Sequence, residues 1–198
     1  MKVGKIIKLC KESRMILTVV HDGIQWIGNG HALYPLYHAP KLDKESICYA
    51  YDVPEEQQAK ITYSELTEVE TMCLDDYDEY ESETERIPVT IIRNGYTLTP
   101  YKTEEGMFFI DNKYLLPLND EDEVRLYKRT SKGNGTYFAV KAGLVILGII
   151  MPVDIVSEEF VSDIQWLYHE CDIIWKNKSK GNNEDFQETL FEREGLNE

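Results

Sequence analysis

Three histidines and one aspartate between positions 21 and 38 have the side-chain chemistry of zinc ligands: His21, Asp22, His31 and His38. A zinc site needs three or four ligands that converge, with hydrogen-bonding partners behind them. Histidines on strands more often pack against neighbours or form hydrogen bonds. The pattern therefore assigns no metal, and we expect none.

A thiol and an imidazole stand two residues apart in His169-Glu170-Cys171, a composition that a nucleophile and its base would need. Helix neighbours meet at spacings of three or four, so these two side chains point in different directions. The glycine-rich runs 28–30 and 133–135 lack the Lys-Ser/Thr of a phosphate-binding loop. The sequence contains no catalytic motif, and we expect a protein that is not an enzyme and needs no cofactor.

A run of carboxylates, DDYDEYESETE, occupies residues 75–85. It lacks the spaced oxygens and central glycine of a calcium loop. It could imitate the phosphates of DNA and occupy a DNA-binding protein. We favour a solvated, mobile loop, the usual role of such runs.

The bulk composition limits the function classes. The chain has 198 residues, 42% hydrophobic content and thirteen tyrosines, which indicates a globular protein with a real core. Its net charge of −15 repels nucleic acid unless the positive side chains gather on one face. The N-terminus has no secretory signal, and no apolar run is long enough to span a membrane. We expect a cytoplasmic protein with no membrane partner and four reduced cysteines.

One sequence motif occurs twice along the chain. Residues 23–36 read GIQWIGNGHALYPL and residues 106–118 read GMFFIDNKYLLPL. One inserted residue aligns the two copies. Each copy predicts a strand, a tight turn and a second short strand that ends at proline. A repeat of this kind indicates a duplicated fold.

Periodicity and turn residues predict mostly antiparallel strands with a helix near each end. Residues 3–12 have the spacing of a short amphipathic helix. The segment 31–36 is predicted as an edge strand, because Pro35 cannot donate to a sheet ladder. The predicted strands are 14–21, 24–28, 31–36, 46–53, 87–93, 96–101, 123–129, 136–141 and 143–151.

A second helix is predicted from Ser157, which would cap it, with two glutamates in the first turn. Its apolar residues predict a wide buried face. They are Phe160, Val161, Ile164, Leu167, Tyr168, Cys171, Ile174 and Trp175.

These elements predict an α+β fold, with a mostly antiparallel sheet built from a duplicated helix and hairpin unit. The predicted parts are a first repeat at 1–64, an acidic linker or loop at 65–86, a second repeat at 87–156, a helix at 157–177 and a disordered tail at 178–198.

The repeat resembles the bacterial DNA sliding clamp family. The segment IGNGHAL at 27–33 is similar to the clamp strand that runs into an Asp-Gly-His turn, and Met151-Pro152 is similar to the end of the clamp's closing strand. The chain is also similar to proteins carried by phages and mobile elements of Gram-positive bacteria. The resemblance implies basic residues that face DNA. Lys5, Lys8 and Lys11 are the candidates, because their spacing places them on one stripe of the first helix.

The C-terminal tail is similar to the short clamp-binding peptide of bacterial replication and repair proteins, in which a Gln is followed after two residues by Leu-Phe. Here these are Gln187, Leu190 and Phe191, with Phe186 just before them. Large apolar anchors in an unfolded tail can dock in a partner's pocket. The alternative is that they pack as one more amphipathic turn.

The leading hypothesis is a non-enzymatic, clamp-like protein that acts in or regulates DNA replication and binds a bacterial sliding clamp through its tail. DNA and replication proteins are further candidate partners. The first alternative is an acidic DNA mimic or inhibitor that uses residues 75–85. The second is an enzyme, which would require its histidines or its Cys171 to converge in a pocket. The sequence leaves homo-oligomerisation open.

Overall fold

A computed structural model describes the backbone of residues 2–194 and the side chains of residues 2–179. It has an α+β fold. The helices and strands in chain order are α1 (Val3–Ser13), β1 (Met15–His21), β2 (Ile24–Gly28), β3 (Ala32–Pro35), α2 (Lys44–Ala50), α3 (Glu55–Gln58), β4 (Thr62–Leu66), β5 (Ser82–Glu83), β6 (Glu85–Arg86), β7 (Ile91–Arg93), β8 (Tyr96–Thr103), β9 (Gly106–Asp111), a 3-10 helix (Asn112–Leu118), β10 (Val124–Thr130), β11 (Thr136–Ala142), β12 (Val145–Ile150) and α4 (Glu158–Glu194).

The larger sheet has eight strands in the order β4-β1-β2-β3-β12-β11-β10-β5. All neighbours are antiparallel except β1 and β4, which run parallel. The pairing of β3 with β12 joins strands from the two halves of the sequence into one sheet. A smaller sheet forms around β8, which pairs with β6, β7 and β9.

The first core lies between one face of the larger sheet and the helix α1. This helix buries Ile6, Ile7, Leu9 and Cys10, which face the sheet because they recur at helical spacing. The Cys10 thiol donates a hydrogen bond to the Gly28 carbonyl at 3.2 Å, and burial raises its pKa to about 12. Thiols react as thiolates, so Cys10 is a structural residue.

The second core lies on the opposite face of the larger sheet. Trp26, Tyr137 and Ile149 form part of it, and the chain between β4 and β5 covers it with Leu74. Val69 and Met72 from the same segment pack against these residues. The acidic segment therefore supplies apolar side chains to the core as well as carboxylates to the surface.

A buried ionic network fixes this segment to the sheet. Arg129 of β10 is fully buried and donates to the Glu81 carboxylate from Nε at 2.9 Å and from Nη2 at 2.6 Å. Lys141 of β11, also buried, donates to the second oxygen of the same carboxylate. A buried charge is tolerated only when it is paired and hydrogen-bonded, and here two cations share one carboxylate.

The same guanidinium also holds the backbone that precedes Glu81. Arg129 Nη1 donates to the carbonyls of Cys73 at 3.1 Å and Asp75 at 2.9 Å, and Nη2 lies 3.4 Å from the Asp76 carbonyl. Arginine suits this role because its planar group presents five donors in a fixed arrangement. One side chain thus organises residues 73–81.

The two copies of the repeated sequence motif fold differently. In the first copy, β2 returns through a turn into β3, as predicted. In the second copy, β9 is followed by the 3-10 helix Asn112–Leu118, where the sequence predicted a strand. Asp111 caps this helix by accepting from the Lys113 amide at 3.2 Å. The clamp-like duplication is therefore not visible as two equal structural units.

Two further sequence predictions are wrong. Residues 46–53, predicted as a strand, lie mostly in the helix α2, whose cap Asp43 accepts from the Ser46 amide at 2.8 Å. The segment containing Pro35 is an inner strand of the sheet. Proline is tolerated there because only Ala32 and Leu33 of β3 pair with β12. The ladder therefore needs no hydrogen-bond donor at Pro35.

The chain divides into two compact units, Met1–Asp154 and Ile155–Glu198. The second unit contains α4, whose first turn carries Glu158 and Glu159 as predicted. The predicted buried face of this helix is wrong, because most of its apolar side chains are exposed. Within the described part of the chain, no helix has both the length and the apolar character required to cross a membrane.

The buried network predicts a large difference between two arginines of the same strand. Replacing Arg129 with Met keeps most of the side-chain volume but leaves three carbonyls without their donor, and we expect unfolding to become easier by about 3 kcal/mol. The matched control is Arg125→Met, which removes an exposed ion pair with Glu83 and should leave stability unchanged. Urea denaturation followed by tryptophan fluorescence measures both. Equal effects of the two substitutions would contradict the network's role.

Candidate functional site

The three lysines predicted to face DNA from α1 do not share one surface. Lys5 Nζ donates to the Leu116 carbonyl at 2.9 Å and so packs towards the 3-10 helix. Lys8 and Lys11 lie further along, in a groove that also contains cations from outside the helix. The structure therefore brings together two of the three predicted residues.

This groove, here called the basic groove, has a volume of about 470 Å³ and is lined by four cations, Lys8, Lys11, Arg14 and Lys60. Its remaining lining residues are Glu12, Gln57 and Ile61. Sequence reasoning missed Arg14 and Lys60, because they come from the end of α1 and the approach to β4. No local pattern connects them.

Two backbone features position the missed cations. Arg14 ends α1 in the left-handed conformation, with φ of 55°. Its carbonyl accepts from the Thr62 amide at 2.9 Å, and this bond starts the parallel pairing of β1 with β4. Lys60 lies two residues before Thr62, so the same pairing brings it beside the helix. The basic groove is thus a consequence of the sheet topology.

The electrostatics of the groove oppose those of the chain as a whole. The chain carries a net charge of −15, yet four cations face one carboxylate here. That carboxylate, Glu12, lies 3.9 Å from Lys8 Nζ, in a pair that is exposed and therefore weak. The arrangement suits a ligand with several negative charges, such as a phosphate backbone.

A second cleft, of about 430 Å³, forms where the two copies of the repeat meet. Asn29 and His31 come from the first copy, and Lys113 and Tyr114 come from the second. The turn of the first copy is fixed by the Asn29 side chain, which accepts from the amides of His31 at 3.1 Å and Ala32 at 3.2 Å. We call this the repeat cleft.

The turn also depends on glycine. A Cβ atom on Gly28 would lie 1.7 Å from the Ala32 carbonyl oxygen, so no other residue fits without moving the backbone. The two copies are joined directly by the Tyr34 hydroxyl, which donates to the Tyr114 carbonyl at 2.6 Å. The two copies therefore meet at this junction.

Lys113 is the cation of the repeat cleft, and its ammonium group already has partners within the protein. It forms an ion pair with the buried Asp111 at 2.9 Å and lies 5.5 Å and 5.0 Å from the ring centroids of Tyr96 and Tyr114. Burial lowers the pKa of Lys113, but the hydrogen bond and charge of Asp111 outweigh it and leave the pKa above its usual value. A charged amine is a poor nucleophile or base, so Lys113 is not prepared for either role.

The three histidines considered as zinc ligands have different surroundings. His21 Nε2 and an Asp75 oxygen are 2.7 Å apart, and this hydrogen bond lowers the pKa of the Asp75 carboxyl. Potential ligand atoms of His21, Asp22 and Asp75 all lie within 4.8 Å of one another, a group that includes neither His31 nor His38. His31 lines the repeat cleft, and His38 is exposed in a left-handed turn. Of the four residues considered as ligands, His21 and Asp22 lie together, and His31 and His38 lie elsewhere.

The other residues weighed for catalysis are equally separate. His169 and Cys171 are both exposed on α4, two positions apart on the helix. Residues 133–135 lie in the turn between β10 and β11. No catalytic pair follows from either segment.

The carboxylates of the acidic run are largely engaged with this chain. Their partners are His21 for Asp75, the Ile146 amide for Asp76, the Tyr80 amide for Asp78, Arg129 and Lys141 for Glu81, Arg125 for Glu83, and Lys102 for Glu85. The sequence missed the buried partners, because cations inside predicted strands are ordinarily taken as solvent-facing.

The predicted clamp-binding residues, Phe186, Gln187, Leu190 and Phe191, lie within the backbone of α4, but their side chains are outside the described residues. This part of the candidate site therefore stays a prediction from sequence.

Comparison with known proteins adds no relatives: no family model, curated protein or solved structure matches the chain.

Proposed function

We propose that this protein is a non-enzymatic, clamp-like protein that acts in or regulates DNA replication, and that its basic groove binds nucleic-acid phosphates. The observation that carries the proposal is the collection of Lys8, Lys11, Arg14 and Lys60 around one groove in a strongly acidic chain. Phosphate contacts by lysine and arginine supply most of the affinity in sequence-independent DNA binding.

The orientation of α1 supports the proposal. Its apolar side is buried against the larger sheet, and its outer side carries Lys8 and Lys11. The resemblance to sliding clamps likewise implies cations that face DNA. The acidic surface outside the groove would repel a DNA duplex and so orient it on the groove.

The rival proposal, an acidic DNA mimic built on residues 75–85, has weaker support. A mimic must present its carboxylates to the partner. Here Glu81 is paired with two buried cations, and Asp76 caps the Ile146 amide at 2.8 Å. These groups hold the fold together, and withdrawing them for a partner would expose the second core.

The proposed protein partner is a bacterial sliding clamp, bound through Gln187, Leu190 and Phe191 of the C-terminal segment. Two adjacent large apolar residues supply anchors for a pocket, and the glutamine amide fixes their register. This contact and the DNA contact use separate parts of the chain, so each can be tested without the other.

Charge reversal in the basic groove tests the DNA contact. For Lys8→Glu/Lys11→Glu, we expect duplex binding to weaken at least about tenfold, or ~1.4 kcal/mol. The slope of log affinity against log salt should shrink by about 0.9 for each phosphate that the variant no longer neutralises. Fluorescence anisotropy with a labelled duplex of arbitrary sequence, over a salt series, measures both quantities.

Lys102→Glu/Lys132→Glu is the matched control, because it also replaces two lysines with glutamates, at exposed positions outside the groove. It should bind almost as the unaltered protein does. Absence of DNA binding by the unaltered protein at low salt would refute the proposal. Equal weakening by all the charge reversals would show a dependence on net charge alone, which also contradicts a specific groove.

Titration of the purified protein against a bacterial sliding clamp tests the tail. We expect micromolar binding that Leu190→Ala/Phe191→Ala abolishes, because the substitution removes both apolar anchors. Glu188→Ala/Glu192→Ala alters neighbouring positions that supply none of the proposed contacts and should retain binding. If the clamp does not bind, or if both variants behave alike, the segment is not a clamp ligand, and the DNA proposal is unaffected.

A further inference from the structure

The helix α4 leaves large apolar side chains in water. Between residues 161 and 175, eight such side chains are 41–72% exposed. They are Val161, Ile164, Trp166, Leu167, Tyr168, Ile173, Ile174 and Trp175. Soluble proteins rarely expose contiguous apolar surface on this scale unless it binds something.

The spacing of these residues specifies the shape of the occupant. Ile164, Leu167, Cys171 and Ile174 follow one another at intervals of three, four and three residues, which are the a and d positions of a heptad. Residues with this spacing form a seam that fits between the side chains of another α-helix. The face therefore matches a helix better than a flat surface or a small molecule.

Aromatic residues widen the seam on one side. Tyr168 and Trp175 stand seven residues apart at the e positions, beside Leu167 and Ile174. Helices that bury a, d and e positions together are typical of packed helical bundles, whereas a narrow two-stranded coiled coil uses a and d alone. Tyrosine and tryptophan are also the residues most enriched at binding hot spots.

Charge on the other side of the seam indicates how two such helices would align. Asp163 and Glu170 occupy the g positions, seven residues apart. In a parallel pair, each g position meets an e position of the other helix, so carboxylates lie beside Tyr168 and Trp175. In an antiparallel pair, g meets g, and carboxylate would face carboxylate. Like charges at these positions disfavour that arrangement.

We propose that this face is covered by the same helix of a second copy of the chain, so that the protein self-associates with its α4 helices parallel. Six of the eight exposed side chains, all except Trp166 and Ile173 at c positions, lie on the seam side and offer roughly 700 Å², since one aromatic residue alone can bury about 150–250 Å². A standard protein interface needs about 800 Å² from each partner. One helix face is therefore close to sufficient in area.

A membrane surface is a poorer match for the same face. Residues 158–179 contain five carboxylates and two lysines. Helices that lie on membranes carry lysine and arginine on their polar face, because anionic lipids attract them. This helix would be repelled by such lipids.

Multi-angle light scattering on the full chain, from low micromolar to the highest attainable concentration, tests self-association. We expect a mass of at least two chains. Leu167→Asp/Ile174→Asp should reduce it to one chain, while circular dichroism confirms that the helix remains. Ser162→Asp/His169→Asp, the same changes on the opposite side of the helix, should leave the oligomer intact.

Cys171 reports the alignment. It occupies an a position, so in a parallel pair it faces Cys171 of the second copy. Oxidation by oxygen with copper phenanthroline should join two chains through a disulfide that Cys171→Ser abolishes and Cys73→Ser does not. An oligomer without this cross-link would overturn the parallel arrangement.

A chain that stays monomeric at every concentration would overturn the proposal altogether. Hydrogen exchange would then show whether residues 161–175 are protected by the rest of the same chain. Co-sedimentation with vesicles containing anionic lipid would instead identify a membrane occupant.

Discussion

The burial of Arg129 is the constraint on which much of this structure depends. A guanidinium cannot be removed from water unless its donors are satisfied, and here the donors are satisfied by Glu81 and by three backbone carbonyls of one segment. That segment consequently lies against the sheet, where Leu74 closes the second core. The most acidic stretch of the chain is thereby made part of the fold.

This arrangement pairs much of the acidic segment with its own chain. Several carboxylates of residues 73–85 have partners there, including the buried cations Arg129 and Lys141. Positive groups remain available in the basic groove, which is built by α1 and the parallel pairing of β1 with β4. A protein of net charge −15 can thus offer a local site for a polyanion.

The proposed contacts lie in different parts of the chain. The basic groove belongs to residues 1–154, and the helix face belongs to residues 155–198. If copies associate through parallel α4 helices, their C-terminal segments point in the same direction. Two clamp-binding peptides on one assembly would then raise the effective concentration of the second binding event.

Much of the fold could be predicted from local signals. Asp22-Gly23 and Asn94-Gly95 mark hairpin turns, and the apolar spacing of residues 3–12 marks α1, because these features depend on neighbouring residues alone. The helix α2 was missed because a short alternation of apolar residues outweighed its cap at Asp43. A longer window would have included that cap.

The errors of wider consequence concern long-range partners. The inner position of β3 depends on its pairing with β12, more than a hundred residues away, which no local pattern reveals. The burial of Arg129 depends equally on a segment some fifty residues earlier in the chain. The apolar face of α4 was predicted correctly as a pattern but wrongly as buried within this chain. Periodicity shows that a face needs a partner without showing which partner covers it.

Hydrogen–deuterium exchange across residues 72–86 tests most directly the claim that the acidic segment is anchored to the fold. The Cys73 amide donates to the Tyr137 hydroxyl at 2.8 Å, and the Thr84 amide donates to the Leu126 carbonyl at 3.1 Å. We predict that these amides exchange as slowly as those of the neighbouring strands β10 and β11, and that Arg129→Met accelerates them selectively. Exchange at the rate of an unstructured peptide in the unaltered protein would contradict the claim, because the segment would then be a mobile loop.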